Sequence, residues 1–96
     1  MGARKMIREE VKKEIEAIIK KNKEYRMIQG RPCFLTKEKG FIRLDTIGGG
    51  TDCIVVEFAE NEEEANNNRF EDGDLFPIYE GKDHIAKEIL KEIEED

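Results

Sequence analysis

Residues 41–47, Phe-Ile-Arg-Leu-Asp-Thr-Ile, and residues 53–59, Cys-Ile-Val-Val-Glu-Phe-Ala, decide the fold of this chain. In the first stretch apolar and polar side chains alternate with a period of two, which predicts a half-buried strand. The second stretch is rich in β-branched and aromatic residues, and it also predicts a strand. Because residues 48–50 between them are all glycine, we expect the two strands to form a hairpin.

A shorter segment at residues 33–37 precedes this hairpin and predicts a third strand. The Lys39-Gly40 step supplies the positive φ that a tight turn needs. A further short strand is expected at residues 25–29, where apolar and polar side chains again alternate. The sequence therefore predicts an antiparallel β-meander of three to five strands.

The expected pairing sets Glu38 opposite Phe41 and Asp45 opposite Cys53, and it assigns each side chain to one of two faces. The face expected to carry the core holds Cys33, Leu35, Ile42, Leu44, Thr46, Ile54 and Val56. The opposite face is more apolar than a solvated sheet face usually is. We expect either residues 70–79 or a terminal segment to cover it, or a second copy to pack against Phe34, Phe41, Ile47 and Val55.

Helical periodicity flanks the strands on both sides. Residues 4–22 and the residues after Gly81 each place apolar side chains at helical spacing, with Asn22 and Asp83 as expected caps. Asn61 followed by three glutamates predicts a short helix start, residues 71–74 a turn, and residues 75–79 an edge strand or strap. This order predicts one α+β domain over residues 1–96, a two-layer sandwich with an N-terminal and a C-terminal helix bracketing the sheet.

Composition indicates the compartment. The chain is 38% hydrophobic and 42% charged, and no run of 18 apolar residues or signal-peptide segment occurs. We therefore expect a cytoplasmic protein that does not enter a membrane. Cys33 and Cys53 are expected on two strands that flank a central one, roughly 9 to 10 Å apart and on opposite faces of the sheet. A disulfide needs Cα atoms within about 7 Å. No disulfide is expected.

Charge is divided unevenly between the two halves. Residues 1–43 contain 13 Lys and Arg against 6 Asp and Glu, whereas residues 44–96 contain 4 against 17. Ion pairs within the fold could satisfy this division, or it could leave a dipolar surface that attracts a partner. Nucleic acid is not the expected partner, because the chain has a pI near 4.9 and no aromatic residues among its basic ones.

Motifs for catalysis or metal binding fail on inspection. Aligning Gly73 with the glycine of an EF-hand loop puts Phe70 and Tyr79 at ligand positions. The glycines at 48–50 lack the lysine and threonine of a phosphate-binding loop. His84 is the single histidine, and no local signature makes either cysteine a nucleophile. We expect no catalytic residue, metal or cofactor.

The sequence thus favours a small non-catalytic interaction module that meets a basic protein partner, for example an inhibitor or immunity protein. The residues expected to form its acidic surface are Glu57, Glu60, Glu62, Glu63, Glu64, Glu71, Asp72 and Asp74. A homodimer that uses the outer sheet face is the alternative. A third hypothesis is an enzyme or small-molecule binder with a pocket between sheet and helices.

Overall fold

The structure, a computed structural model, describes residues 2–95, with side chains from residue 7 to residue 94. Five strands form one antiparallel sheet whose spatial order is the chain order. The elements are α1 (Gly2–Lys20), β1 (Tyr25–Ile28), β2 (Arg31–Leu35), β3 (Phe41–Ile47), β4 (Cys53–Ala59), α2 (Glu62–Asn66), β5 (Glu71–Pro77), a 3₁₀ turn (Ile78–Glu80) and α3 (Lys82–Glu95). The predicted α+β class and the meander between two helices are confirmed.

The main core lies between the sheet and the two long helices. The apolar stripes predicted for α1 and α3 supply much of it, and facing side chains of β2, β3 and β4 supply the rest. Its buried members are Ile15, Ile19, Phe34, Ile42, Leu44, Ile54, Val56, Ile85, Ala86, Ile89 and Ile93. The helices therefore bury one face of the meander and leave the other face for the rest of the chain.

The predicted registers of β2 and β4 are both wrong. Asp45 lies opposite Val55 instead of Cys53, but this shift of two residues leaves the side chains of β4 on their predicted faces. The error in β2 has a larger effect. Phe34 lies opposite Ile42 and Leu35 opposite Phe41, so Phe34 enters the main core and Cys33 belongs to the other face. The slip arises in the connection, where Lys39 alone takes the positive φ of 72° and the Thr36 amide donates to the Gly40 carbonyl. The register differs from the predicted one by three residues, and any odd shift moves every side chain of a strand to the other face.

A second, smaller apolar cluster lies on the face away from the long helices. Its buried members are Ile28, Cys33, Phe41, Ala59 and Ala65, and Leu35 and Phe70 pack against it. Ala65 belongs to α2 and Phe70 follows it, so the segment between β4 and β5 folds over this face. The expectation that residues 70–79 cover the outer face is right for Phe70. Most of the remaining cover comes from α2, which was not expected there.

At Gly40 the turn after β2 passes close to β4. A Cβ atom there would lie 2.7 Å from the Phe58 ring and 2.8 Å from the Ala59 carbonyl oxygen. The Thr36 hydroxyl closes this turn, since it accepts from the Gly40 amide at 3.0 Å and donates to the Gly40 carbonyl at 3.1 Å. The glycine is therefore required for contact with β4, whereas the positive φ falls on Lys39.

Two of the three predicted helix caps are confirmed. The Asn22 side-chain amide donates to the Ile18 carbonyl at the end of α1, and the Asn61 side chain accepts from the Glu64 amide at the start of α2. Asp83 is not the cap of α3, because the helix begins at Lys82 and Asp83 lies in its first turn. There the carboxylate favours the helix through the dipole.

The turn predicted at residues 71–74 is also absent. These residues form the first half of β5, with Asp72 opposite Glu57 and Leu75 opposite Val55. Gly73 and Asp74 together oppose Val56 and form a bulge, which accommodates the glycine and the acidic residues within a strand. β5 is consequently a seven-residue edge strand whose first four residues are exposed.

Candidate interaction surface

The eight acidic residues expected to form one surface divide into two groups. Glu57, Glu62 and Glu64 form ion pairs within the chain. The other five are exposed and form no ion pair with another described residue; they are Glu60, Glu63, Glu71, Asp72 and Asp74. This second group, called the free carboxylates below, is the part of the predicted surface that a partner can reach.

Glu57 is part of a buried polar cluster on the outer face. The Arg43 Nε donates to Glu57 Oε1 at 2.9 Å, and Arg43 Nη1 donates to the Asn68 side-chain oxygen at 2.9 Å. The Arg43 guanidinium also lies 3.8 Å from the centroid of the Phe70 ring. Arg43 thus ties β4 to the segment that follows α2, and we assign Glu57 to the support of that segment.

Glu62 joins α2 to the sheet, whereas Glu64 has a long contact within its own segment. Glu62 pairs with Arg26 of β1, whose guanidinium lies 5.9 Å from the Phe41 ring centroid. Glu64 Oε2 lies 3.6 Å from Arg69 Nη1. Both glutamates lie in the first turn of α2, where negative charge favours the helix.

Ion pairs between the basic first half and the acidic second half of the chain neutralise part of the uneven charge. Five pairs among the described residues join a base from residues 1–43 to an acid from residues 44–96. They are Arg8 with Asp52, Lys23 with Glu94, Arg26 with Glu62, Arg31 with Asp45, and Arg43 with Glu57. The free carboxylates are left outside this internal network.

A cleft opens where the chain leaves β4 and returns as β5. It measures about 320 Å³ and is lined by Phe58, Glu60, Glu64, Arg69, Phe70 and Glu71. Two aromatic rings and three carboxylates therefore surround it. Glu64 Oε2 is shielded from solvent and accepts no hydrogen bond from the part of the chain that the structure describes. We call the opening lined by these residues the β4–β5 cleft.

Two other clefts lie beside the helices. One of about 230 Å³ adjoins Ile42, Val56, Phe58, Gly73 and Glu92, and one of about 400 Å³ adjoins the end of α1 and the β2–β3 turn. The first corresponds in position to the pocket considered between sheet and helices. Its lining is mainly apolar, and among its residues we find no pairing of a nucleophile with a base.

The residues considered for catalysis or metal binding are dispersed. His84 lies on α3 with its Nε2 3.6 Å from Glu80, whereas both cysteines are in the sheet. No group of three His, Cys, Asp or Glu side chains within residues 7–94 is placed to hold a metal ion. Cys33 is buried, and this burial raises the pKa of its thiol. Cys53 is half-buried, and both thiols are free. The prediction that the two cysteines lie on opposite faces is wrong, because the register of β2 brings Cys33 to the outer face, where Cys53 also lies.

The face proposed for self-association is only partly available. Phe34 is in the main core and Phe41 is covered, so neither can contact a second copy. Val55 is 6% exposed and Ile47 is 48% exposed. Leu75, opposite Val55, is 55% exposed and was not among the predicted residues. Its exposure follows from the position of β5 at the edge of the sheet.

Comparison of the chain with protein-family models, curated proteins and solved structures gave no match. No described helix is long and apolar enough to cross a membrane. The function must therefore be argued from the site itself.

Sequence reasoning missed the β4–β5 cleft. Phe58 was expected on β4, but that it lines a common cleft with Phe70 depends on how α2 folds back and on the start of β5 at residue 71. The closest hint of the cleft in the sequence was that glutamates lie on both sides of the asparagine run and that Phe70 follows this run. That pattern is equally typical of a solvated loop.

Proposed function

We propose that this chain is a non-catalytic cytoplasmic module that binds a basic protein, with an inhibitor or immunity protein as the concrete form. The observation that carries the proposal is the set of free carboxylates at Glu60, Glu63, Glu71, Asp72 and Asp74. All five belong to one segment, which includes α2 and the exposed half of edge strand β5.

The energetics support a partner of opposite charge. Free carboxylates close together in the chain repel one another, and none of the five forms an ion pair with another residue whose side chain the structure describes. A basic surface would relieve this repulsion on contact and would be attracted before contact, which raises the association rate. The internal pairs of Glu57 and Glu62 meanwhile fix the segment that carries these charges.

The cytoplasmic assignment has separate support. Both cysteines are free thiols, and Cys53 is half-buried and within reach of oxidants. Such thiols suit a reducing compartment. We therefore expect the basic partner to be met inside the cell.

The experiment is affinity capture from a lysate of the source organism at low salt, followed by salt-step elution and mass spectrometry. Three baits are compared. The wild type is joined by an acidic-segment variant, Glu63→Gln with Asp72→Ser and Asp74→Ser, in which three free carboxylates are neutralised. The third bait is a matched control, Glu10→Gln with Glu24→Gln and Glu38→Gln, which removes the same charge from exposed positions on other segments.

The proposal predicts that one stoichiometric basic protein is captured by the wild type and the control variant but not by the acidic-segment variant. Retention of the same protein by all three baits would refute it, and so would the capture of no basic protein by any of them. Because the substituted side chains are exposed, circular dichroism should report the same fold for each bait.

The homodimer is retained as a second candidate because Ile47 and Leu75 are both exposed on the outer face beside Val55. Two large apolar side chains on one sheet face are suited to packing against a copy of themselves. Light scattering over a concentration series tests this candidate. It predicts a dimer in the wild type and a monomer in Ile47→Lys, and a wild type that stays monomeric at the highest concentration would contradict it.

A further inference from the structure

We propose that the β4–β5 cleft receives an arginine side chain of the basic partner and so acts as the anchor point of the interface. This inference rests on the proposed function, because it names the group on the partner that the acidic segment recognises. The cleft residues Glu60, Glu64 and Glu71 are distinct from the three residues neutralised in the capture experiment.

The lining of the cleft matches the chemistry of a guanidinium group. Phe58 and Phe70 provide aromatic surface for the flat cation and its methylene stem, and Glu60, Glu64 and Glu71 provide carboxylate acceptors. A volume of about 320 Å³ leaves room for one such side chain. Arginine is also the basic residue most enriched where binding energy is concentrated in protein interfaces.

Glu64 gives an independent reason to expect a donor in this cleft. Its Oε2 atom is shielded from solvent, and its ion pair with Arg69 Nη1 at 3.6 Å is too long to supply the hydrogen bond that it lacks within the described residues. A guanidinium N–H that enters the cleft would satisfy it.

The chain itself demonstrates that guanidinium groups suit this region. Arg69 Nη1 lies 3.6 Å from Glu64 Oε2, too far for a hydrogen bond, and the Arg69 side chain is 73% exposed. Phe70 already has the Arg43 guanidinium 3.8 Å from its ring centroid. Arg69 is loosely held, so an incoming arginine can displace it from Glu64 at little cost.

The test uses N-acetyl-arginine amide as the probe and its uncharged isostere N-acetyl-citrulline amide as the control. Each is titrated into the isotopically labelled wild type, and backbone amide shifts are followed by NMR. We expect saturable shifts at residues 58–71 with the arginine probe, at a dissociation constant on the order of millimolar. The citrulline probe should bind at least about tenfold more weakly because it carries no charge.

Two double variants locate the binding. Glu60→Gln with Glu71→Gln should weaken the arginine probe by about fivefold or more, since both carboxylates line the cleft. Asp72→Ser with Asp74→Ser removes the same number of charges from β5 outside the cleft and should change the affinity by less than about twofold. Arg69→Ala should strengthen binding because it removes the competing cation.

Several outcomes would overturn the inference. They are the absence of saturable shifts up to about 50 mM probe, equal binding of both probes, and a larger loss in the β5 variant than in the cleft variant. The same shifts produced by calcium chloride at lower concentration would assign the cleft to an inorganic cation instead. If the arginine probe fails while capture still depends on Glu63, Asp72 and Asp74, only this inference falls and the proposed function stands.

Discussion

Arg43 and Glu57 lie opposite each other on β3 and β4, and Arg43 Nε donates a 2.9 Å hydrogen bond to Glu57 Oε1 on the sheet face away from the long helices. Their side chains are only 6% and 11% exposed. Arg43 also reaches Asn68 and Phe70. The pair therefore joins the centre of the sheet to the segment that carries the proposed interaction surface.

Removing one partner of this pair should be strongly destabilising. Glu57→Leu leaves the Arg43 charge buried without its carboxylate, and we expect the free energy of unfolding to fall by about 2–4 kcal/mol. The double variant Arg43→Met with Glu57→Leu removes both charges and should recover most of that loss. Urea denaturation of the two single variants and the double variant measures the coupling.

Glu14, which pairs with Lys82 in an exposed setting, provides the control for that cycle. Glu14→Gln should cost less than about 0.5 kcal/mol, because water screens an exposed pair. Equal costs for Glu14→Gln and Glu57→Leu would contradict the structural role given to the buried pair.

Gly40 should tolerate no side chain. In Gly40→Ala the new methyl group meets the Phe58 ring and the Ala59 carbonyl, and we expect a loss of about 2–3 kcal/mol. Gly50→Ala is the matched control, since nothing lies within 4 Å of a Cβ there and the φ angle is not positive. Its effect should stay within about 0.5 kcal/mol. Thermal unfolding of both variants is the measurement, and similar melting temperatures would contradict the close packing at Gly40.

Glu16 should make stability depend on pH in a particular direction. It is buried on α1, and burial raises the pKa of its carboxyl above the usual value despite the nearby Lys12 and Lys20. An acid whose pKa is raised by folding stabilises the folded state below its unfolded pKa, and that contribution is lost as the pH rises through the folded pKa.

Glu16→Gln should therefore stabilise the protein near pH 7 and should have little effect near pH 3. The exposed Glu10 on the same helix is the control, and Glu10→Gln should change the melting temperature little at either pH. A stabilisation of Glu16→Gln that persists unchanged at low pH would show that it does not arise from the buried charge.

The two thiols should differ in reactivity. Cys33 is fully buried, and burial raises the pKa of its thiol, whereas Cys53 is half-buried near the β3–β4 turn. Alkylation with iodoacetamide near neutral pH should modify Cys53 first and Cys33 only on opening of the fold. In denaturant the rates should converge. Peptide mapping by mass spectrometry gives both rates, and faster native modification of Cys33 would contradict the position of β2.

Local patterns were enough to predict the order of elements and the helix stripes. Ile15, Ile19, Ile85 and Ile89 all lie in the core as their periodicity predicts, because a helix stripe depends only on spacing within one element. The face of β2 could not be obtained in this way. It depends on the length and conformation of the turn at Lys39, where a register shift of three residues, an odd number, exchanged the faces of Phe34 and Cys33.

The interaction surface was predicted in the right segment but not in its details. Net charge indicated residues 57–74 as acidic, yet which carboxylates are paired depends on Arg26 and Arg43, which come from distant strands. The β4–β5 cleft depends on the same tertiary contacts. Long-range pairing of this kind has no signature in a single sequence.

The most direct test of the central claim is the association rate of the captured basic partner, measured for wild type, acidic-segment variant and matched control at about 20 and 200 mM salt. If the free carboxylates attract the partner, salt should slow association of the wild type and the control by about tenfold and of the acidic-segment variant by much less. Identical rates and identical salt dependence for all three proteins would contradict the account.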